Sequence, residues 1–252
     1  MERYQSDNRG KRQSSALRRL VRFAVFSAML FLAALFVFRV QHVEIVGDSR
    51  YTDAEILDAS GFRRGSNILL INIPEAQESI ETGLPFVGRA RIERGFPNRV
   101  RITVEKAEPF AAFAIRGGYV ILDENAKILE VRTTKGESNL ISLVFDGEVG
   151  NFAPGEILEL SEDQGIVRYL RDFLPIVRQL GFSGQIATID FRDMHEVNFC
   201  FMDRFTVYLN QTSDFLQNLR MLSDIYDIMN ERDQGVINLN LQNPNFRPIG
   251  SG

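Results

Sequence analysis

Residues 84–111 read LPFVGRARIERGFPNRVRITVEKAEPFA, and this stretch decides the fold of the first half of the chain. Apolar and charged residues alternate from Val87 to Arg94 and again from Val100 to Glu105, which is the pattern of strands with one buried face. The turn-forming residues Gly95–Asn98 separate the two runs. We therefore predict two strands joined by a tight turn.

One strand and two helices are predicted before these strands. Residues 43–46 (VEIV) favour a strand, and Thr52 to Glu55 has the spacing of a capping box, in which the Thr and Glu side chains bind backbone amides at the start of a helix. The apolar residues 68–71 are interpreted as a buried run. Asn72, followed by Pro74, starts the second helix. Residues 43–105 therefore have the order strand, helix, helix, strand, strand.

An apolar segment precedes this region. Every residue from Phe23 to Phe38 is apolar or small, and a helix over residues 20–40 would be roughly 31 Å long, which matches the hydrocarbon thickness of a bilayer. A buried soluble helix would carry polar residues on one face. A cleaved signal peptide would end in small residues, which Leu35–Gln41 does not offer. We therefore predict an uncleaved transmembrane helix over residues 20–40.

The charge distribution predicts the orientation of this helix. Residues 1–22 carry seven basic and two acidic side chains, which leaves −9 for the rest of a chain whose net charge is −4. Basic flanks stay on the cytoplasmic side, so residues 1–19 are predicted to be a disordered cytoplasmic tail and residues 41–252 to lie outside the cytoplasm. The acidic body argues against nucleic acid as a partner.

Residues 110–241 are predicted to form a second, strand-rich domain, followed by an unpaired tail over residues 242–252. Alternating or apolar runs favour a hairpin over residues 119–131 and single strands over residues 141–145, 186–191, 196–201, 205–209 and 236–241. The fold class is therefore predicted as α+β, with one transmembrane helix, a β-α-α-β-β domain and this second domain.

Two helices are predicted within the second domain. A capping box at Ser161–Gln164 starts the first helix, which Gly181 closes. Apolar residues at three- and four-residue spacing from Leu216 to Met229 form the core face of the second helix. That helix is predicted to start at Thr212 or Ser213 and to end at Gly235.

No active site is recognisable in the sequence. The residues closest to a metal-binding cluster are Asp190, Asp193, His195 and Glu196, of which Asp193 and His195 would share one face of a strand. A lone histidine beside acids is more often a solvated pair, so neither a metal nor a cofactor is expected. The chain has no glycine-rich phosphate loop and no serine elbow. We therefore expect no enzymatic activity and no small-molecule substrate, although a site assembled from distant loops stays open.

The first predicted domain resembles the POTRA domain of the FtsQ/DivIB family of bacterial cell division proteins. The segment VEIVG at 43–47 is similar to the family's opening strand, NILLIN at 67–72 to its link before the second helix, and residues 84–111 to its most distinctive stretch. The family's usual Glu-Arg-Pro ending is replaced here by Glu105–Pro109 (EKAEP). The resemblance predicts a POTRA-like domain over residues 41–109.

The resemblance also implies a function. It implies a non-enzymatic, bitopic scaffold in the cell membrane at the division septum, which links early and late septum-forming proteins through contacts outside the cytoplasm. The implied partners are FtsB/DivIC-like and FtsL-like bitopic proteins. The alternative is an exported, membrane-tethered enzyme or sensor that uses a POTRA-like module, and a catalytic cluster in the second domain would favour it.

The last predicted strand is the candidate partner-binding segment, and it comprises Val236, Ile237, Asn238, Leu239, Asn240 and Leu241. Its apolar face, formed by Ile237, Leu239 and Leu241, can pack on the core while the other face stays wet. Pro244 cannot donate an amide to extend a ladder. We therefore predict one open side, to which a partner adds a strand, and the resemblance implies that the FtsB/DivIC-like and FtsL-like proteins bind here.

Overall fold

The computed structural model describes residues 8–136, 139–146, 152–160, 164–193, 195–209, 214–230, 232–240 and 245–248. Its helices are α1 (Asn8–Val37), α2 (Asp53–Ala59), α3 (Ile73–Gly83), α4 (Gln164–Gln179) and α5 (Phe215–Asp227). Its strands are β1 (His42–Gly47), β2 (Val87–Gly95), β3 (Arg99–Lys106), β4 (Ala111–Ile115), β5 (Gly118–Leu122), β6 (Ile128–Arg132), β7 (Ile141–Val144), β8 (Ile186–Asp190), β9 (Asn198–Phe201), β10 (Phe205–Tyr208), β11 (Gly235–Asn238) and β12 (Asn245–Pro248). The predicted α+β class is confirmed.

Helix α1 contains the apolar segment. Arg18–Val37 is long and apolar enough to cross a membrane, and none of it is buried within the protein. The helix extends back to Asn8, so the described part of the basic tail is helical and its predicted disorder is wrong there. The helix ends at Val37. Val40, predicted as the last transmembrane residue, is instead 1 % exposed in the core of the next domain.

The first domain has the predicted order of strands and helices. Its sheet has the order β1-β3-β2, in which β2 and β3 are antiparallel and β1 is parallel to β3. Val100, Ile102 and Val104 of β3 share a buried core with Ile56 of α2 and Ile80 of α3. The alternation in β3 therefore decides which face of this sheet the helices cover.

The predicted capping box is present at the start of α2. The hydroxyl of Thr52 accepts a hydrogen bond from the backbone amide of Glu55 at 3.3 Å, and the carboxylate of Glu55 accepts one from the amide of Thr52 at 2.8 Å. The bond from the Thr52 amide is the main reason why the pKa of Glu55 lies below its ordinary value. These two bonds satisfy amides that have no partner within the helix.

The apolar run at 68–71 is only half buried, which corrects the sequence interpretation. Ile68 and Ile71 are buried, but Leu69 and Leu70 are 50 % and 77 % exposed. The guanidinium group of Arg94 donates hydrogen bonds to the carbonyl of Ile68 at 2.9 Å and to that of Ile71 at 2.7 Å. Because these bonds hold both ends of the loop, Leu69 and Leu70 are left on the outside.

The second domain is built on a nine-stranded sheet of order β12-β11-β10-β9-β8-β7-β4-β5-β6. Helices α4 and α5 pack together beside one core, where the rings of Tyr169 and Phe215 are 4.8 Å apart and those of Phe173 and Phe199 are 5.6 Å apart. The hydroxyl of Tyr169 donates to the carbonyl of Leu209 at 2.9 Å. This bond satisfies the one polar group of a ring that is otherwise buried among apolar side chains.

Several local predictions in this domain need correction. Asp214 caps α5, and its carboxylate accepts from the amide of Gln217 at 3.0 Å. Gly235 begins β11 and does not end α5, which stops at Asp227. Strand β4 was not predicted. Residues 161–163 of the predicted capping box, and residues 212 and 213, lie outside the part of the chain that the structure describes.

The hairpin predicted over residues 119–131 is confirmed as the antiparallel pair β5 and β6. Its turn contains Ala126 at a φ of 61°, a left-handed conformation that glycine adopts more readily than alanine. Asp123 organises this turn, because its carboxylate accepts from the amides of Asn125 and Lys127, each at 2.8 Å. A side chain, and not a glycine, therefore stabilises the turn.

Lys127 connects this hairpin to the first domain. Its ammonium group donates hydrogen bonds to the carbonyl of Glu81, in the last turn of α3, and to the carbonyl of Val87, at the start of β2, at 2.7 Å. The residue is 5 % exposed. Burial lowers the pKa of Lys127 and raises that of Asp123, although their opposite charges counteract both shifts. The negative end of the α3 dipole also favours a cation at this position.

Gly155 allows the two domains to approach closely at the same junction. A Cβ atom at this residue would lie 1.8 Å from the carbonyl oxygen of Thr82, and its φ of +98° disfavours any side chain. Its amide donates to the carbonyl of Ile128 at 2.7 Å, next to Lys127. The backbone at Gly155 therefore fills the space between the end of α3 and the start of β6.

We predict that Thr52→Ala lowers the free energy of unfolding by about 1 kcal/mol, because the amide of Glu55 loses its acceptor. Glu55 has a folded pKa below its ordinary value of 4.5. Its contribution is therefore present above that pH and is lost as the pH falls through the folded pKa. The variant keeps the backbone amide of residue 52 but lacks the hydroxyl that donates to the Glu55 carboxylate at 2.7 Å, so the part of the difference that comes from this bond should disappear in acid. Denaturant unfolding in mild detergent measures both effects. Thr134→Ala, at an exposed bend, is the control, and equal stability of all three proteins would contradict the prediction.

We also predict that Lys127→Met destabilises the protein by about 1–3 kcal/mol, because methionine fills the space but takes the ammonium donor from the buried carbonyl of Val87 and the partly buried carbonyl of Glu81. Lys106→Met is the matched control, since Lys106 is only partly buried at the end of β3, and its effect should stay within about 0.5 kcal/mol. Denaturant midpoints of both variants provide the test. The role of Lys127 would be refuted if the two substitutions had the same small effect.

Candidate partner-binding edge

Strand β11 contains most of the sequence-predicted partner segment, and it has a neighbour on each side. It runs parallel to β10, with Phe205 opposite Gly235 and Tyr208 opposite Asn238. It runs antiparallel to β12, with Asn238 opposite Asn245 and Gly235 opposite Pro248. The prediction of one open side on this strand is therefore wrong, as is the prediction that residues 245–248 of the tail are unpaired.

The alternation predicted for this segment is present as far as the structure describes it. Ile237 and Leu239 are 0 % and 2 % exposed, whereas Val236, Asn238 and Asn240 are partly exposed. The amide of Asn240 binds the side chain of Asn238 at 2.9 Å, which ends the strand in an Asx turn. Leu241 lies outside the described residues. That these residues bind a partner stays a prediction.

Phe246 and Gly235 explain how β12 closes over β11. A Cβ atom on Gly235 would lie 2.7 Å from the Phe246 ring and 2.2 Å from the carbonyl oxygen of Arg247. The ring of Phe246 packs edge-on against Phe205, with centroids 6.0 Å apart. Glycine at 235 is therefore required for the close approach of β12, and it does not act as a helix terminator.

The hydrogen-bonding direction of β11 shows which backbone groups β12 presents outward. The amides of Gly235 and Leu239 donate toward β10, to the carbonyls of Arg204 at 3.2 Å and Tyr208 at 3.0 Å. Since backbone groups alternate in direction along a strand, Val236 and Asn238 bond to β12. Their partners Arg247 and Asn245 thus face inward, and the amide and carbonyl of Phe246 face away from the sheet. We call this outer backbone of Asn245–Pro248 the β12 edge.

Basic and aromatic side chains lie beside the β12 edge. Arg247 is exposed. The guanidinium carbon of Arg204 lies 5.0 Å from the centroid of Phe205 and 5.4 Å from that of Tyr226, and the group donates to the carbonyl of Asn230 at 3.2 Å. Arg204 thus stacks over the buried ring of Phe205 and the partly exposed ring of Tyr226, an attraction between a cation and aromatic faces. This arrangement suits recognition of an extended segment and contains no reacting group.

The acidic residues considered for a metal site are engaged in local structure. Asp190 binds the guanidinium group of Arg192, and this bond keeps its pKa below the ordinary value. The carboxylate of Asp193 accepts from the backbone amide of His195 at 2.8 Å. Within the described ranges, no three His, Cys, Asp or Glu residues form a group that could hold a metal ion.

The residues that form the β12 edge itself were not predicted from the sequence. The four-residue strand follows a proline and alternates only once, with Phe246 between Asn245 and Arg247. That single apolar residue is the one available signal. Phe246 can pack as it does only because Gly235, more than ten residues earlier in the chain, has no side chain. Local periodicity does not report such a pairing between separate segments.

The comparisons with known proteins agree with this architecture. Residues 38–106 match the family model of the POTRA domain, FtsQ-type. The chain is 27 % identical over 123 residues to cell division protein DivIB of Clostridium acetobutylicum, a match covering 46 % of this chain and 48 % of that protein. It is 29 % identical over 109 residues to cell division protein FtsQ of Corynebacterium glutamicum, covering 42 % and 48 %.

A third relative is cell division protein FtsQ of Bartonella bacilliformis, 27 % identical over 92 residues, with 36 % of this chain and 30 % of that protein covered. The matches thus span about half or less of each relative. Among the described residues, one helix near the N-terminus is long and apolar enough to cross a membrane, which fits a single-pass membrane protein. An FtsQ-type POTRA domain that follows such a helix, together with three relatives that carry these two names over part of their length, supports assignment of the chain to the FtsQ/DivIB family of cell division proteins.

Proposed function

We propose that this protein is a non-enzymatic scaffold of the division machinery, which binds other single-pass division proteins by extending its large sheet outside the cytoplasm. The observation that carries this proposal is the β12 edge, the end of the nine-stranded sheet that has no neighbouring strand within the described ranges. An open edge offers amides and carbonyls that a partner strand can satisfy.

The other end of the sheet is a poorer candidate, because it is covered. The backbone of β6 at Ile128 exchanges hydrogen bonds with the loop that follows residue 152, donating to the carbonyl of Glu156 at 2.8 Å and accepting from Gly155 at 2.7 Å. The same end packs against the first domain through Lys127. Strand addition is therefore favoured at β12 over β6.

The proposed partners are FtsB/DivIC-like and FtsL-like bitopic proteins, and the proposed location is the division septum. Membership of a family of cell division proteins supports this context. Residues 236–241 contribute indirectly in this proposal, since β11 supports β12 through the Val236–Arg247 and Asn238–Asn245 pairs. The β12 edge itself makes the contact.

A tethered enzyme or sensor is the second candidate, and no observation favours it. The only cysteine, Cys200, is half-buried in β9, and burial raises the pKa of its thiol. A raised pKa disfavours the reactive thiolate. The residue therefore has the properties of a packing residue.

Phe246→Pro should reduce capture of an FtsB/DivIC-like partner about tenfold relative to Phe246→Ala, since both variants lose the ring but only proline loses the outward amide. Tenfold corresponds to about 1.4 kcal/mol, which is the net contribution of one hydrogen bond. Co-purification of the full-length variants with the partner from mild detergent measures this ratio. Equal melting temperatures of the two variants are the control, and equal capture by two folded variants would rule out strand addition at β12.

We further predict that the N-terminus is cytoplasmic and that residues 41–252 are outside, because the tail carries the basic residues. A reporter enzyme that is active only after export, fused after Gly252, should be active in cells. The same fusion with a reporter that works only in the cytosol should be inactive. The reverse result would overturn the proposed orientation and, with it, the location of the β12 edge.

A further inference from the structure

Two loops of the POTRA domain are hydrogen-bonded to the residues that directly follow α1. The amide of Ile68 donates to the carbonyl of Phe38 at 2.7 Å, and the amide of Gln41 donates to that of Asn98 at 2.9 Å. The ring of Phe96 packs edge-on against Phe38, with centroids 6.0 Å apart. The loop at 67–72 and the turn at 95–98 therefore lie beside the point where the chain leaves the apolar helix.

These two loops present three large apolar side chains to the outside. Leu69, Leu70 and Phe96 are 50 %, 77 % and 62 % exposed, and we call them the loop patch. The exposure of the two leucines is not the result of a loosely held loop, because Arg94 binds the carbonyls of Ile68 and Ile71 on either side of them. Adjacent leucines held outward in this way are stabilised by contact with an apolar environment, such as a membrane or a partner surface.

The position of the apolar helix sets the depth of the loop patch. The uncharged run ends at Phe38 and Arg39 follows, so the edge of the hydrocarbon layer lies near these two residues. Leu70 is two residues from Ile68, a span of at most about 7 Å. The headgroup layer on each side of a bilayer is about 5–8 Å thick. The loop patch therefore lies within the headgroup layer when α1 spans the membrane.

The charges around the loop patch suit a lipid surface. Arg39, Arg63 and Arg64 are exposed, and Gly65, next to Arg64, donates to the carbonyl of Val40 at 2.8 Å. The guanidinium carbon of Arg39 lies 4.8 Å from the centroid of Phe36. Basic groups around an apolar patch bind anionic headgroups while the apolar side chains reach the acyl boundary.

We infer that Leu69, Leu70 and Phe96 insert into the headgroup layer of the bilayer and hold the POTRA domain against the membrane surface. The partner is the lipid itself, not another protein. The inference rests on α1 crossing the membrane, which is part of the proposed function. It adds a second membrane contact that fixes the inclination of the domain, which a single helix followed by a flexible joint would leave free.

The chain contains no tryptophan, so single tryptophans can report depth in the full-length protein. Leu70→Trp and Phe96→Trp test the loop patch, and Ile228→Trp, at a residue that is 84 % exposed after α5, is the aqueous control. Phe31→Trp, within α1, reports insertion of the helix. Each variant is reconstituted into phosphatidylethanolamine–phosphatidylglycerol vesicles with and without brominated acyl chains, and acrylamide serves as the quencher from water.

We expect the Leu70→Trp and Phe96→Trp proteins to lose most of their emission to brominated lipid and little to acrylamide, with the opposite pattern for Ile228→Trp. The inference is overturned if both loop variants behave like Ile228→Trp, or if neither quencher affects them, because the patch would then face water or protein. Quenching of Phe31→Trp by brominated lipid in those cases would leave the membrane anchor intact. Lack of quenching at Phe31→Trp would instead refute the anchor.

Discussion

The arrangement of the two domains depends on one buried ammonium group. Lys127 donates to carbonyls at the end of α3 and the start of β2, and it does so from a turn that Asp123 holds in place. Because this turn lies next to β6, it fixes one end of the nine-stranded sheet on the POTRA domain. The β12 edge is at the opposite end, eight strand spacings or about 38 Å across the sheet. The β12 edge thus lies at the end of the sheet that is remote from the POTRA domain.

Local signals predicted the POTRA domain well, because its elements are decided by neighbours in sequence. The alternation of Val100, Ile102 and Val104 gave the buried face of β3, and Thr52 with Glu55 gave the start of α2. The candidate binding segment was predicted less well. Alternation correctly assigned Ile237 and Leu239 to the core, but whether a strand has a free side depends on a partner elsewhere in the chain, and here that partner is the short strand around Phe246.

The other missed features have the same cause. Lys127 resembles a surface lysine in the sequence, and only the approach of the first domain makes it buried. Leu69 and Leu70 resemble core residues, and only the bonds from Arg94, more than twenty residues away, turn them outward. In each case a contact between distant segments of the chain sets the burial of the residue, and the local sequence does not report that contact. The two features on which the proposals rest, the β12 edge and the loop patch, belong to this group.

The parallel pairing of β1 with β3 has a mechanical consequence. The helix α1 joins the start of β1, and the second domain joins the end of β3, so these two attachments lie at opposite ends of a paired ladder of six residues, from His42–Arg99 to Gly47–Val104. Tension between a membrane anchor and a bound partner would therefore load the ladder in shear, along the strands. In shear all the interstrand bonds resist together, whereas peeling would break them one at a time. The POTRA sheet is thus arranged to resist such tension without opening.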